Sequence, residues 1–283
     1  MSGSRSTVPA PSIRRIVVAV DGSEHSLAAI DAAAALAAQL ESELEALYVE
    51  DDDLLRLAEL PCARVTSLVL LAREPMDRER MERQLRQQAE RMEHSLRRRA
   101  TALGVQVRFR RVRGRVCAEV QAAAATADLL SLGKAGGTLL SACGLGQTLQ
   151  AALGAGRPLL VLESRPAGGE GLLAAFDGSP ADERALALAA ELARRTGSAL
   201  HVLILARTPA EALDLGAEVE PWLETQGVAP EQMLYAWQDP AEAVPAAARR
   251  VRPALLLVGL PGANDERAGQ ALARVRCPLL LVP

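Results

Sequence analysis

The segment Ile16-Val17-Val18-Ala19-Val20-Asp21-Gly22-Ser23 returns as Leu172-Leu173-Ala174-Ala175-Phe176-Asp177-Gly178-Ser179, an apolar run that ends in Asp-Gly-Ser and leads into an alanine-rich helical pattern. Position 177 less position 21 gives an offset of 156, and the same offset carries Leu44 to Val49 onto Leu200 to Leu205. Two strands and the helix between them therefore align without a gap. A repeat of this size is a duplicated domain, and 283 residues suffice for two domains that each bury a core. We place the first at 12–163 and a shorter second at 171–283. Residues 164–170, with Pro166, Gly168 and Gly169, read as a short polar linker.

Each half offers five apolar runs. In the first they are Ile16 to Val20, Leu44 to Val49, Val105 to Val112, Leu129 to Leu132 and Leu159 to Leu162. In the second they are Leu172 to Phe176, Leu200 to Leu205, Met233 to Trp237, Ala254 to Val258 and Leu279 to Val282. Helical patterns separate most of them, the alternation of a parallel α/β sheet. Ser179-Pro180-Ala181-Asp182 marks a helix start, and Arg194-Arg195-Thr196-Gly197 marks its end. From Met76 to Leu103, apolar residues recur at helical spacing, with Glu79/Arg83, Glu82/Arg86 and Glu93/Arg97 as i to i+4 pairs. That charge run is a solvated face. A basic edge over Arg97 to Arg99, Arg108, Arg110, Arg111, Arg113 and Arg115 is the lesser alternative.

Val105, Val107 and Phe109 alternate with Gln106, Arg108 and Arg110, so the third strand should lie at an edge, where charge discourages further pairing. The last strand of each half is apolar throughout. An apolar edge needs cover, and the matching strand of the other half supplies it, which predicts an internal pseudo-dimer.

A net charge of -3 supplies no global field towards nucleic acid or membrane. Cys62, Cys117, Cys143 and Cys277 are scattered without partnering histidines, which indicates neither a zinc site nor a disulfide framework and suits a reduced cytosol. With no stretch of membrane-spanning length, a cytoplasmic, soluble protein with a loose start is expected. Arginine almost entirely replaces lysine, which leaves Lys134 conspicuous.

In an open parallel sheet the binding crevice lies beyond the carboxyl ends of the strands, where the strand order reverses. Asp21, Gly22 and Ser23 follow the first strand; Gly133, Lys134, Ala135 and Gly136 follow the fourth, with Gly146 and Gln147 opening the next helix. Glycines admit a close ligand, a helix N-terminus attracts an anion, and Asp21 can accept a ribose or base hydrogen bond. The plainer alternative is a pair of strand-to-helix turns with Ser23 as helix cap.

The strand-Asp-Gly-Ser-Glu-His-Ser start, then Asp128-Leu129-Leu130-Ser131-Leu132-Gly133-x-x-Gly136, nine residues, Gly146 and a closing Pro-Leu-Leu-Val strand together resemble the universal stress protein family. The resemblance runs over nearly the whole chain as two tandem Rossmann-like domains. It implies, in each, a five-stranded parallel sheet of order 3-2-1-4-5 with helices on both faces, pairing through the last strand and, in one branch, ATP binding. Carried over residue by residue, nucleotide contacts fall on Asp21, Val49, Leu132, Gly133, Gly136 and Gly146. Gln147 stands where that branch has a small hydroxyl residue, and Lys134 brings a charge that either faces the phosphates or is solvated. The second half departs further: Val258-Gly259-Leu260-Pro261-Gly262 is followed by Gly269-Gln270 after six residues, with Asp265 and Glu266 between. An anion would meet repulsion there.

The expected function is thus a tandem, non-catalytic stress-response factor, at most a weak ATPase, with ATP or AMP as ligand of the first domain and no metal. The alternative is a nucleotide-independent protein-interaction module, with the apolar 137–145 loop as docking surface. An unidentified protein partner and self-association beyond the internal pseudo-dimer are expected; nucleic acid and membrane are not. His25 is read as a first-turn surface residue, and Cys143 shows no neighbouring charge that would activate its thiol. An adenylate-forming or PP-loop enzyme is disfavoured, because acids stand where such enzymes carry a Ser-Gly-Gly-rich loop. A dinucleotide dehydrogenase is disfavoured because G-x-G-x-x-G is absent after the first strand.

Overall fold

The computed structural model describes residues 11–22, 24–60, 64–67, 72–75, 77–133, 156–162, 169–237, 239–260 and 274–283. In the first half the apolar runs become β1 (Arg15–Val20), β2 (Glu43–Asp51), β5 (Val107–Gly114), β6 (Leu129–Gly133) and β7 (Leu159–Leu162). Between them lie α1 (Glu24–Leu40), α2 (Asp52–Leu57), the hairpin β3 (Arg64–Ser67) and β4 (Ala72–Pro75), α3 (Arg78–Leu103) and α4 (Val116–Thr126). The second half holds β8 (Leu172–Phe176), α5 (Pro180–Thr196), β9 (Leu200–Leu205), α6 (Pro209–Thr225), β10 (Gln232–Ala236), α7 (Pro240–Val251), β11 (Leu255–Gly259) and β12 (Leu279–Val282).

Ten strands form one sheet, ordered β10-β9-β8-β11-β12-β7-β6-β1-β2-β5. Counted within each half, the order is 3-2-1-4-5. Neighbours within a half are parallel, and the single antiparallel pair is β7 with β12, in the register Leu279↔Val161, Leu280↔Leu160, Leu281↔Leu159. All six of those side chains are buried. The apolar last strands cover each other, as the need to protect an edge required. The charged β5 takes one outer edge and β10 the other.

Alternation along the strands sends side chains to two layers. Ile16, Val18 and Val20 join Leu44, Ala46 and Tyr48 beneath α1 and α3, and this layer continues beneath α5 and α6 of the second half. Val17, Ala19, Leu47 and Val49 face α4, and their layer continues to α7. Both layers run across the β7–β12 junction. Alanines on α1 and α5 bring these helices close to the sheet: Ala29, Ala33, Ala185 and Ala189 are fully buried.

Helix ends follow the sequence signals. Ser179 caps α5, with Pro180 in its first turn and Gly197 left-handed at its end. Asp77 caps α3, accepting from the N–H groups of Glu79 and Arg80, and the stripe Leu85, Ala89, Met92, Leu96 and Ala100 is buried. The i to i+4 pairs form at Glu79/Arg83 and Glu93/Arg97. Glu82 instead meets Arg78 and Arg113, at 3.3 and 3.4 Å. β5 explains why: its arginines reach back over β2. Glu45 is held between Arg15 and Arg110 at 2.6 and 2.7 Å, and Glu50 pairs with Arg113 at 3.0 Å. Arg110, Arg111 and Arg113 of the suspected basic edge therefore form an ion-paired seam that fixes β5 on β2.

Two features escaped the sequence reading. α2 and the β3–β4 hairpin lengthen the first half, and Cys117 at the head of α4 is disulfide-bonded. The cysteines are thus not all reduced thiols; Cys277 is buried and forms no disulfide. Among the described residues no helix is long and apolar enough to cross a membrane. Most of the 164–170 linker lies outside the described residues.

The β7–β12 pair predicts that Leu160→Ala costs about 2–5 kcal/mol, the range for a large-to-small change in a core. Leu160→Asp should cost more, by leaving an unpaired charge opposite Leu280. Urea denaturation checks both; an unchanged midpoint for either would mean the junction contributes little.

Candidate functional site

The order β2-β1-β6-β7 places the strand following β1 on one side and the strand following β6 on the other, so the carboxyl ends of β1 and β6 flank a switch point. In the second half β8 and β11 stand in the same relation. Registers match: Ile16 pairs with Leu129 as Leu172 pairs with Leu255. Two equivalent crevices result, with Asp21 and Gly133 in one and Asp177 and Gly259 in the other.

Both Asp-Gly turns require glycine. Gly22 and Gly178 have φ of +79° and +83°, left-handed values that strain other residues. From there the two turns differ. In the first, the Ser26 hydroxyl accepts from the Asp21 N–H at 2.9 Å and donates to the Asp21 carboxylate at 2.6 Å. Gln88 of α3 donates its amide to the Asp21 carbonyl at 2.9 Å and accepts from the Tyr48 hydroxyl at 3.2 Å. Its side chain lies where a Cβ on Gly22 would stand. Burial, with the charges of Glu50 and Asp21 added, pushes the Tyr48 phenol up to about 12, so it remains a proton donor at any physiological pH. Phe109 stacks on it with ring centroids 6.5 Å apart.

In the second turn the position of Ser26 is taken by Asp182, at the same offset of 156. Asp182 is 2% exposed, and its carboxyl bridges the crevice, accepting from the Gly259 N–H at 2.7 Å and from the Asp177 N–H at 2.9 Å. The head of α5 presses so closely on Gly259 that a Cβ there would meet the backbone of Ala181 and Asp182. Burial holds the Asp182 carboxyl well above the usual carboxylate range. The hydrogen bond to the Asp177 carboxyl and that group's charge add to the rise, and the two N–H bonds oppose it. That direction favours the protonated form of the Asp182 carboxyl, hydrogen-bonded to Asp177. This crevice is closed by an internal acid.

Of the residues marked from sequence, Asp21 and Gly133 are half-buried at adjacent strand ends. Val49 and Leu132 are buried, with side chains in the layer beneath α4, so only their backbones are open to a ligand. Val49 is inside β2, opposite Val112, because that strand runs on to Asp51. Lys134, Gly136, Gly146 and Gln147 lie outside the described residues, as do Ser23 and Cys143. Ser26, Tyr48 and Gln88 were missed. The repeat offset would have exposed the Ser26/Asp182 exchange; Gln88 has no such signal, being one polar residue on a charged helix.

Asp182→Ser should cost roughly 1–3 kcal/mol, because a serine can serve Asp177 as Ser26 serves Asp21 but leaves the Gly259 N–H unpaired. Its pH signature is distinct. The folded-state pKa of Asp182 is raised, so above the unfolded value the native state holds a proton the unfolded chain has lost. Stability must then fall as pH rises through that window, and the variant should lose this slope. Equal slopes for parent and variant in denaturation at stepped pH would rule out the buried shared proton.

A family profile described as "Universal stress protein family" matches residues 12–161. Among solved structures, a universal stress protein from Archaeoglobus fulgidus DSM 4304 superposes with a TM-score of 0.71 at 16% identity, covering 95% of each chain. A functionally unknown protein from Pseudomonas aeruginosa PAO1 gives 0.59 at 18%, covering 96% of this chain and 93% of its own. The cytoplasmic domain of a prokaryotic cation chloride cotransporter gives 0.55 at 12%, with 95% of each covered. At these identities the likeness is one of fold. No curated protein sequence matches the chain. The profile match spans more than half of the residues, and the chain belongs to the universal stress protein family.

Proposed function

We propose that the chain is a cytoplasmic, non-catalytic stress-response factor built of two domains, 12–163 and 171–283, whose first domain alone takes an adenine nucleotide. The observation that carries this reading is the exchange of Ser26 for Asp182. In the second crevice a buried carboxyl already bonds the Gly259 N–H, and the Asp177/Asp182 pair repels phosphate. In the first crevice the shorter Ser26 turns back onto Asp21. ATP or AMP would then lie against Asp21, the backbone of Val49, Leu132 and Gly133, and the loop bearing Lys134, Gly136, Gly146 and Gln147. Output would come from a partner surface that senses occupancy, with self-association beyond the internal pair. Turnover would be at most a slow ATPase.

A second reading, a nucleotide-independent interaction module, is favoured by Gln88. Its amide already bridges the mouth of the first crevice, from the Asp21 carbonyl to the Tyr48 hydroxyl.

Calorimetric titration of the full chain with ATP and AMP separates the two. The first reading expects one nucleotide per chain. Asp21→Ala should weaken it about tenfold or more, as loss of a charge-assisted hydrogen bond does, while Asp177→Ala changes nothing. Gln88→Ala should tighten it by freeing the mouth. No binding at millimolar ATP, in parent and Gln88→Ala alike, would leave the interaction module as the surviving reading.

A further inference from the structure

A second cavity lies far from either crevice. It has a volume of 630 Å³ and opens between the carboxyl-terminal half of α7 and the segment Arg274–Cys277 that leads into β12. Both walls precede strands, so the cavity sits at the amino ends of β11 and β12. Because β7 and β12 are antiparallel, these amino ends share a sheet edge with the carboxyl ends of β1 and β6. The cavity and the Asp21 crevice therefore face the same edge, in different halves.

Four arginines rim it: Arg249, Arg252, Arg274 and Arg276. All four are exposed, and none has a carboxylate within ion-pair distance among the described residues. In the β5–β2 seam, by contrast, Arg15, Arg110 and Arg113 are paired with Glu45 and Glu50. The floor is apolar, made by Pro245, Val275 and the Cys277 thiol.

The fold does not need these charges. Leu129 corresponds to Leu255 through the β1–β6 and β8–β11 registers, which sets Ala123 and Thr126 of the first half against Arg249 and Arg252. Likewise Leu130↔Leu159 matches Leu256↔Leu279, which sets Gly156 against Arg276 and Arg157 against Cys277. The one arginine on the first-half side, Arg157, is paired with Asp128 at 3.5 Å, and Ala254 replaces that acid in the second half. The last-turn place of Arg249 suits the carbonyl end of α7. Arg274 and Arg276 stand on another segment, where that benefit does not explain them.

Like charges around one hollow repel unless an anion joins them, and guanidinium forks match phosphate oxygens in pairs. The volume lies within the range of small-molecule sites, which combine an apolar lining with a few placed charges. We infer that this cavity is a binding site for a small organic phosphate, its phosphate on the arginine rim and its apolar body on the Pro245–Val275–Cys277 floor. The inference is independent of nucleotide binding at Asp21.

The test is calorimetry on the full chain with naphthyl phosphate, AMP and inorganic phosphate. Naphthyl phosphate should bind one to one and more tightly than inorganic phosphate, with affinity falling as salt rises. Arg274→Gln/Arg276→Gln should weaken it about tenfold or more, as should the separate pair Arg249→Gln/Arg252→Gln, with circular dichroism unchanged in each. Asp21→Ala should leave it intact, and AMP bound here rather than at the crevice would be lost in the arginine variants only. No binding at millimolar naphthyl phosphate, binding that survives both arginine pairs, or binding abolished by Asp21→Ala would each overturn the assignment.

Discussion

The antiparallel contact between β7 and β12 governs the rest of the molecule. Each half is a parallel sheet that would end on a wholly apolar strand, and such a strand is exposed to any other chain in need of pairing. Setting Leu159-Leu160-Val161 against Leu279-Leu280-Leu281 satisfies both edges at once and joins the two apolar layers into continuous ones. The outer edges left over are then of other kinds: β5 carries arginines, and β10 is only partly buried, with Gln232 and Tyr235 exposed. A parallel contact at the same place would have aligned the two crevices on one side. The antiparallel one puts them on opposite edges, so each half presents its own surface and the two were free to diverge.

At the two Asp-Gly turns, divergence centres on one side chain. Ser26 and Asp182 occupy the same helical position behind the same Asp-Gly turn, and both accept the N–H of the turn aspartate. The longer acid reaches one step further, to the Gly259 N–H, and is buried by doing so. Burial raises its pKa and so favours the protonated acid, hydrogen-bonded to Asp177. A hydroxyl is neutral at every relevant pH and makes no such demand. The second crevice thus gains an internal bridge at the expense of any anionic occupant, while the first keeps its turn aspartate at a crevice that α3 reaches through Gln88.

Much of this was legible in the sequence because it rests on periodicity and local chemistry. The strands, the caps of α5, the edge position of β5 and the pairing of the last strands all follow from which residues need burial and which need water. Failures occurred where distant side chains meet. Glu82 was assigned to Arg86 by helical spacing, but β5 brings Arg113 within 3.4 Å of it. Gln88 meets Asp21 across 67 positions of chain, which no local pattern encodes. Asp182 was read as an acid favouring a helix start. It is that, but its carboxyl also turns inward, and only the tertiary approach of Gly259 reveals it. Cys117 illustrates the same limit, since scattered cysteines carry no local signal of a partner.

Arginine shows how the same residue type divides between support and function. On β5, each guanidinium that reaches Glu45 or Glu50 replaces water around a nearly buried carboxylate, and the pair holds an edge strand in register. Remove the carboxylates and those arginines would lose their reason to point inward. Around the cavity beside α7 that condition is met by the chain itself: Ala254 stands where Asp128 would answer an arginine, yet the basic residues increase in number. Charge added where the described residues offer it no carboxylate does not stabilise a fold. It is accounted for by an anion from outside, and the sheet's antiparallel junction delivers that charge to the same edge as the crevice at Asp21.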